Sequence, residues 1–255
     1  MPSSSETCRR ASHCSPNPRP PHHTPRALPK RRPRMTDTVA PALSEAPSRA
    51  ELHIAVGITA SALQTQYLGH RGERQQTAAR ARLAELRRNA GFTPEQRPLA
   101  LQEVLDALHP GLREEDLGKG DAPSRSERAA FDAMTLFALH MQSADRPVHV
   151  RGLSFGAAVG LLYIGTKSES LKPRFDALLA ARHERSRLTH ARSLITLLRG
   201  ARIGFDYGSF ARDLRTLAGE HRAGVLLRWG RDFAMTPRRQ TEESTSETSV
   251  AAVDS

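Results

Sequence analysis

Arginine supplies most of the chemistry this sequence offers. The chain has 255 residues, with 38 Lys+Arg against 27 Asp+Glu, and 34 of the basic residues are arginine. Arg185, Arg192 and Arg199 stand seven apart, and at 100° per residue they form one stripe along a helix. Leu194, Leu197 and Leu198 fall on the opposite side. Over about 76–90, Arg80, Arg87 and Arg88 lie away from Ala79, Leu83, Leu86 and Ala90. Near the C-terminus, Arg228 and Arg231 oppose Val225, Leu226, Trp229 and Phe233. One such arginine reads as a solvated helix face. Three helices repeating the design, with too few acids nearby to neutralise them, read as a surface for phosphate groups.

Other chemistry is thin. Gly160-Leu-Leu-Tyr-Ile-Gly165-Thr-Lys167-Ser168 looks like a phosphate-binding loop, but one residue too many separates the second glycine from the lysine. Its apolar interior reads as a helix end. The 11 histidines contain no HExxH pair, and no spaced Cys/His set is present to hold a metal. His140 falls on a helix that is apolar nearly all round, which reads as a packed core histidine. No Ser/His/Asp arrangement stands out. The expectation is no catalytic residue, no metal, no cofactor and no enzyme activity.

Phe137, Phe175, Phe210, Trp229 and Phe233 all fall on inner faces. Reading single-stranded bases needs outward aromatics for stacking, so these positions predict a grip on backbone that ignores sequence. Replacing Arg192 and Arg199 by alanine should then leave folding nearly intact.

The elements that carry these residues are helical. Leu99, Leu101, Val104, Leu105 and Leu108 make a short amphipathic helix between Pro98 and His109-Pro110-Gly111. A loop over 109–123 follows, the one place where a domain boundary could fall. Ser124-x-x-Glu127 is a capping box for a helix over about 126–143, expected to be central and buried. Ser154 caps the next helix, where Gly156 and Gly160 allow close helix contact. Ser170 is a candidate cap for a helix that turns Leu171, Phe175 and Leu178 inward. Helices over about 184–199, 207–218 (capped by Asp206) and 222–234 complete the set. Val148-His149-Val150 alternates like a strand but is too short to found a sheet. The fold class is therefore all-α, a helical bundle of about eight or nine helices.

Charge and composition set the outline. Residues 1–34 carry +7 and eight prolines, residues 35–48 carry −2 and residues 241–255 carry −4, leaving +10 on 49–240. A core this basic points to a polyanionic partner, although GC-rich coding also favours arginine over lysine. Residues 1–48 read as a disordered leader, of which 1–34 look like an over-extended start ahead of Met35. Residues 49–236 form the helical domain, and 237–255 a disordered acidic tail. No run nears the ~18 apolar residues of a membrane span. Cys8 and Cys14 both lie in the leader, which fits a reducing cytoplasm.

With these motifs in order, the chain resembles the CasB family, small subunits of the type I-E CRISPR surveillance complex Cascade. Leu86-Arg87-Arg88, Phe137-Ala138-Leu139-His140, Ser154-Phe155-Gly156 and Lys167-x-Glu169 carry the resemblance. It continues through Arg174-Phe175-x-x-Leu178-Leu179, His190-x-Arg192-x-Leu194, Leu197-Leu198-Arg199, Phe205-Asp206-Tyr207 and Asp213-Leu214. It closes at Arg228-Trp229-x-x-Asp232-Phe233, so it spans roughly 49–236 and neither end. The resemblance implies an all-helical, non-catalytic protein. It also implies a second copy of itself, the backbone and large subunits of the complex, the CRISPR guide RNA, and the target and displaced DNA strands as partners. It assigns nucleic-acid contact to Arg87, Arg88, Arg174, Arg192, Arg199, Arg228 and Arg231. Arg185 joins them as a member of the stripe. The guide would supply sequence by base pairing, leaving backbone contacts to the protein.

Two other function classes compete. A stand-alone helical DNA-binding regulator needs a recognition helix with outward Asn or Gln for base edges, and the arginine helices offer almost no amides. A purely structural adaptor would use its arginines for solubility alone.

Overall fold

The computed structural model describes the backbone of residues 49–251 and the side chains of residues 49–236. Within that span the chain is helical: α1 (Leu52–Tyr67), α2 (Glu73–Arg88), α3 (Pro98–Ala107), α4 (Arg125–His140), α5 (Phe155–Thr166), α6 (Leu171–Ala180), α7 (Glu184–Ala201), α8 (Tyr207–Leu217) and α9 (Arg222–Ala251). The leader 1–48 lies outside the described residues. α9 carries the backbone helix on to Ala251, past the limit of 236 expected for the helical domain.

α4 sits at the centre, with α1, α2, α3, α7 and α8 packed around it. Its sequence explains this position, because apolar residues occupy nearly every azimuth and Phe131, Met134, Phe137 and Ala138 are fully buried. Its start is the expected capping box. Ser124 Oγ accepts from the Glu127 amide at 3.0 Å, and the Glu127 carboxylate accepts from the Ser124 amide at 2.6 Å. Asp116, in a 3-10 turn over Glu114–Asp116, accepts from Ser126 Oγ at 2.8 Å and from Arg215 at 3.1 Å, fastening the 109–123 loop to α4 and α8. That loop therefore closes on the core and separates nothing within the described residues.

α5 packs along α9 at very short range. A Cβ on Gly156 would collide with the backbone of Trp229, and one on Gly160 would come within 2.9 Å of the Phe233 carbonyl. The glycine spacing predicted a close helix contact, and the structure supplies α9 as its partner. Ser154 and Asp206 also cap as expected, accepting from Ala157 at 3.2 Å and Ser209 at 3.0 Å.

Several expectations need correction. Ser170 precedes α6 but does not cap it. Its backbone is already helical (φ −76°, ψ −14°), whereas an N-cap side chain reaches back from an extended residue. Leu197 is 37% exposed and Leu99 74% exposed, so neither is core. Arg49–Ala50 (β1) and Gly111–Leu112 (β2) pair in parallel, a two-residue ladder with no counterpart in the sequence expectation. Val148–Val150 founds no sheet. Its His149 makes one bridge to Phe205, and buried Gln64 accepts from the Val148 and His149 amides at 3.1 and 2.9 Å.

Candidate nucleic-acid interface

α7 buries Ala191, Leu194, Ile195 and Leu198 against the core, which turns its arginine stripe outward. Arg185 and Arg192 are exposed, while Arg199 is half-buried. Arg199 has a second task. Its guanidinium donates to Gln142 Oε1 at 2.8 Å and reaches the Leu139 carbonyl at 3.5 Å, so it binds the C-terminal end of α4. A cation there also meets the negative end of the helix dipole. The expectation that Arg199 is dispensable for folding therefore holds less well than for Arg192. Arg187, on the same helix, is buried and donates to the Ala181 carbonyl at 3.0 Å. Burial and the nearby Arg222 pull its guanidinium below the usual range, and its role is structural.

α2 contributes the second group. It buries only Ala79, Leu83 and Leu86, so Arg80 and Arg88 stand exposed and Arg87 half-buried. Gln142 is the link between the two helices. It lines a groove with Arg80 and Arg87 and also accepts from Arg199. The Arg192 guanidinium lies over Gly91, in the loop that follows Arg88. The C-terminal half of α2 and the stripe of α7 thus meet around the ends of α2 and α4.

The remaining candidates are dispersed. Arg174 borders a groove with Leu197, Gly200 and Ala201 on another side of α7. Arg228 pairs with Asp213, which also accepts from Trp229 Nε1 at 2.7 Å. Burial raises the Asp213 carboxyl above its ordinary range despite these partners, so Arg228 is committed to neutralising it. Arg231 is exposed on α9, and no groove lining joins it or Arg228 to the α2–α7 face among the described residues.

Ion pairing sorts these residues. Among the described residues, carboxylates pair with Arg49, Arg113, Arg128, Arg146, Arg202 and Arg215. Of the eight arginines singled out from sequence, only Arg228 has a carboxylate partner among the described residues. The arginines of the α2–α7 face are therefore free of direct ion pairs among the described residues, as a phosphate surface requires.

The core histidine and the glycine–lysine motif are structural. His140 is fully buried, with Nδ1 3.0 Å from the Tyr207 hydroxyl, and burial lowers its pKa to about 4. The glycine–lysine motif is the end of α5, with Lys167 in a left-handed turn, and not a loop after a strand. Among the described residues no three His, Cys, Asp or Glu side chains gather as metal ligands, and no helix is long and apolar enough to cross a membrane.

Sequence reasoning missed a cavity beside this face, lined by Phe92, Asp132, Leu136, Glu184, Arg185 and Arg192 among others. Phe92 is 39% exposed, with the Arg97 guanidinium 4.3 Å from its ring centroid. A signal was available, since Asp132 is the lone acid within the apolar body of α4.

The model of the CRISPR-associated protein Cse2 family matches residues 82–233, more than half of the chain. The fold is similar to the crystal structure of CasB from Thermobifida fusca, at 28% identity and a TM-score of 0.57, covering 73% of this chain and 99% of that one. It also resembles M. ruber CasB (22% identity, TM-score 0.51, 73% and 98% covered) and a chain of a CRISPR RNA-guided surveillance complex (18%, 0.55, 76% and 99%), likenesses that concern the fold alone. No curated protein sequence matches. The family match, running from the second half of α2 into α9 with Arg87, Arg88, Arg185, Arg192 and Arg199 inside it, shows that the chain belongs to the CasB/Cse2 family.

Proposed function

We propose that the chain is a non-catalytic small subunit of a type I-E CRISPR surveillance complex in the cytoplasm. It contacts the backbone and large subunits and a second copy of itself. Its arginines hold the phosphates of the guide RNA and of the target and displaced DNA strands, which stabilises the opened duplex in antiviral defence. One observation carries this reading: Arg87, Arg88, Arg185, Arg192 and Arg199 lie on two helices that both pack against α4, with no carboxylate partner among the described residues. Along α7 the stripe covers 14 residues, roughly 21 Å of helix, enough to follow several phosphates of an extended strand. Base pairing to the guide supplies the sequence information, so protein contacts of this kind can serve any target.

The test uses the complex reconstituted with and without the subunit. Target affinity should drop without it, and the subunit's contribution should fade linearly in log salt. Scrambled strands of one composition should bind alike. Binding of the subunit alone to one duplex sequence far above all others would identify a regulator instead.

A further inference from the structure

We propose that the cavity between α4 and the start of α7 receives one unpaired guanine of the strand held by the arginine face. This rests on the nucleic-acid reading above and adds a base-specific subsite to it. The cavity has a volume of about 120 Å³, far above the 10–15 Å³ or so that one water needs. Its apolar walls are Phe92, Pro94, Leu136 and Leu188. Phe92 is the exposed aromatic that a stacked base requires, while the large aromatics of the core are inside.

The polar rim defines the ligand further. Asp132 and Glu184 stand in the same cavity as Arg185 and Arg192, and none of the four forms an ion pair among the described residues. Arg128, the cation nearest in sequence, is taken by Glu95. Arg192 is held at the rim because Gly91 has φ +99° and no Cβ, where an added Cβ would collide with the guanidinium. Two acids want donors and two arginines want acceptors. A bare phosphate would face the acids, and a lysine or arginine side chain would face the arginines. A nucleotide answers both, with a base edge for the acids and a phosphate for Arg185 and Arg192.

Among bases, guanine fits best. Its edge presents the O6 acceptor, then the N1–H and N2–H₂ donors. Burial first, then the Glu184 charge, pushes the Asp132 carboxyl up to about 8, so it is neutral at pH 7. The neutral carboxyl donates its O–H to O6 and accepts N1–H, while Glu184 accepts from N2–H₂, the donor that sets guanine apart. Glu184, Glu95, Arg128, Arg185 and Arg192 are the charged groups facing Asp132. Above pH 8 Asp132 loses the proton that it gives to O6, so binding of the base should weaken.

The experiment titrates the full chain with oligothymidine strands that carry one central guanine, one hypoxanthine (which lacks the N2 amino group) or none. The guanine strand should bind about fivefold or more tighter than either at pH 7. Glu184→Ala should erase the guanine–hypoxanthine difference. Glu184→Ala should also erase the guanine–thymine difference, since thymine O4 and N3–H offer Asp132 the same pair as guanine O6 and N1–H. Asp132→Ala should weaken all three strands, with far-UV circular dichroism checking that the variant folds. Asp132→Asn keeps a donor beside an acceptor, so it should keep the binding of each strand and hold it above pH 8. Equal binding of all three strands by the wild type, or a preference that survives both alanine variants, would overturn the pocket alone. Failure of every strand to bind would overturn the nucleic-acid reading, and the pocket with it.

Discussion

His140 and Asp132 lie eight residues apart on α4, and burial shifts them in opposite directions for the same reason: each is driven to its neutral form. For His140 the folded value of about 4 lies below the usual 6.5. Its contribution to stability is present above 6.5 and lost as pH falls through 4, up to about 3 kcal/mol. The melting temperature should therefore fall between pH 6.5 and 4, and less steeply in His140→Gln. An identical acid limb in the variant would show that His140 is not the cause. Asp132 is the reverse case. Its raised value means stability present at low pH and lost as pH climbs toward 8, so Asp132→Asn should raise the melting temperature most at alkaline pH. The arginines divide by partner as well. Arg192→Ala removes an exposed group and should change stability by about 0.5 kcal/mol or less. Arg199→Ala should cost about 1 kcal/mol, because it frees Gln142 and the end of α4. Urea titration of the two variants separates these outcomes.

At the scale of elements, α9 shows how much one side chain can organise. Trp229 is fully buried, stacks near Phe210 and Phe155, and donates to Asp213, while its backbone touches Gly156. Trp229→Ala should cost about 3–5 kcal/mol, more than Leu198→Ala at about 2–5 kcal/mol, because it also strips a donor from a buried carboxylate. Thermal unfolding followed at 222 nm would rank them, and the reverse order would mean that the Trp229–Asp213 bond is incidental. Helix positions were legible in the sequence because their signals are local. Ser124-x-x-Glu127, Ser154 and Asp206 cap as their spacing implies, and Gly156 and Gly160 foretold a close helix contact, though not that α9 makes it. What escaped depends on neighbours distant in sequence. Ser170 is drawn into helical backbone, Leu197 falls at the edge of a groove, and β1 finds β2 some sixty residues away.

At the scale of the molecule, the ion pairs among the described residues fall on one set of arginines and leave another without a carboxylate partner. Sequence spacing identified the stripe of α7 and the arginines of α2 separately. It could not show that Gln142 and Gly91 bring them together, or that Arg228 belongs to Asp213. Nor could it place Phe92, Asp132 and Glu184 around one cavity, since three separate segments converge there. The central claim is that the α2–α7 face grips nucleic-acid backbone. Its most direct test is the reconstituted complex carrying Arg185→Ala and Arg192→Ala together, with target affinity measured against salt concentration. Assembly should be unchanged, affinity should fall for every target sequence, and the salt slope should drop by about one for each phosphate that is no longer neutralised. Unchanged affinity and slope in a correctly assembled complex would contradict the claim, leaving these arginines as no more than a solvated surface.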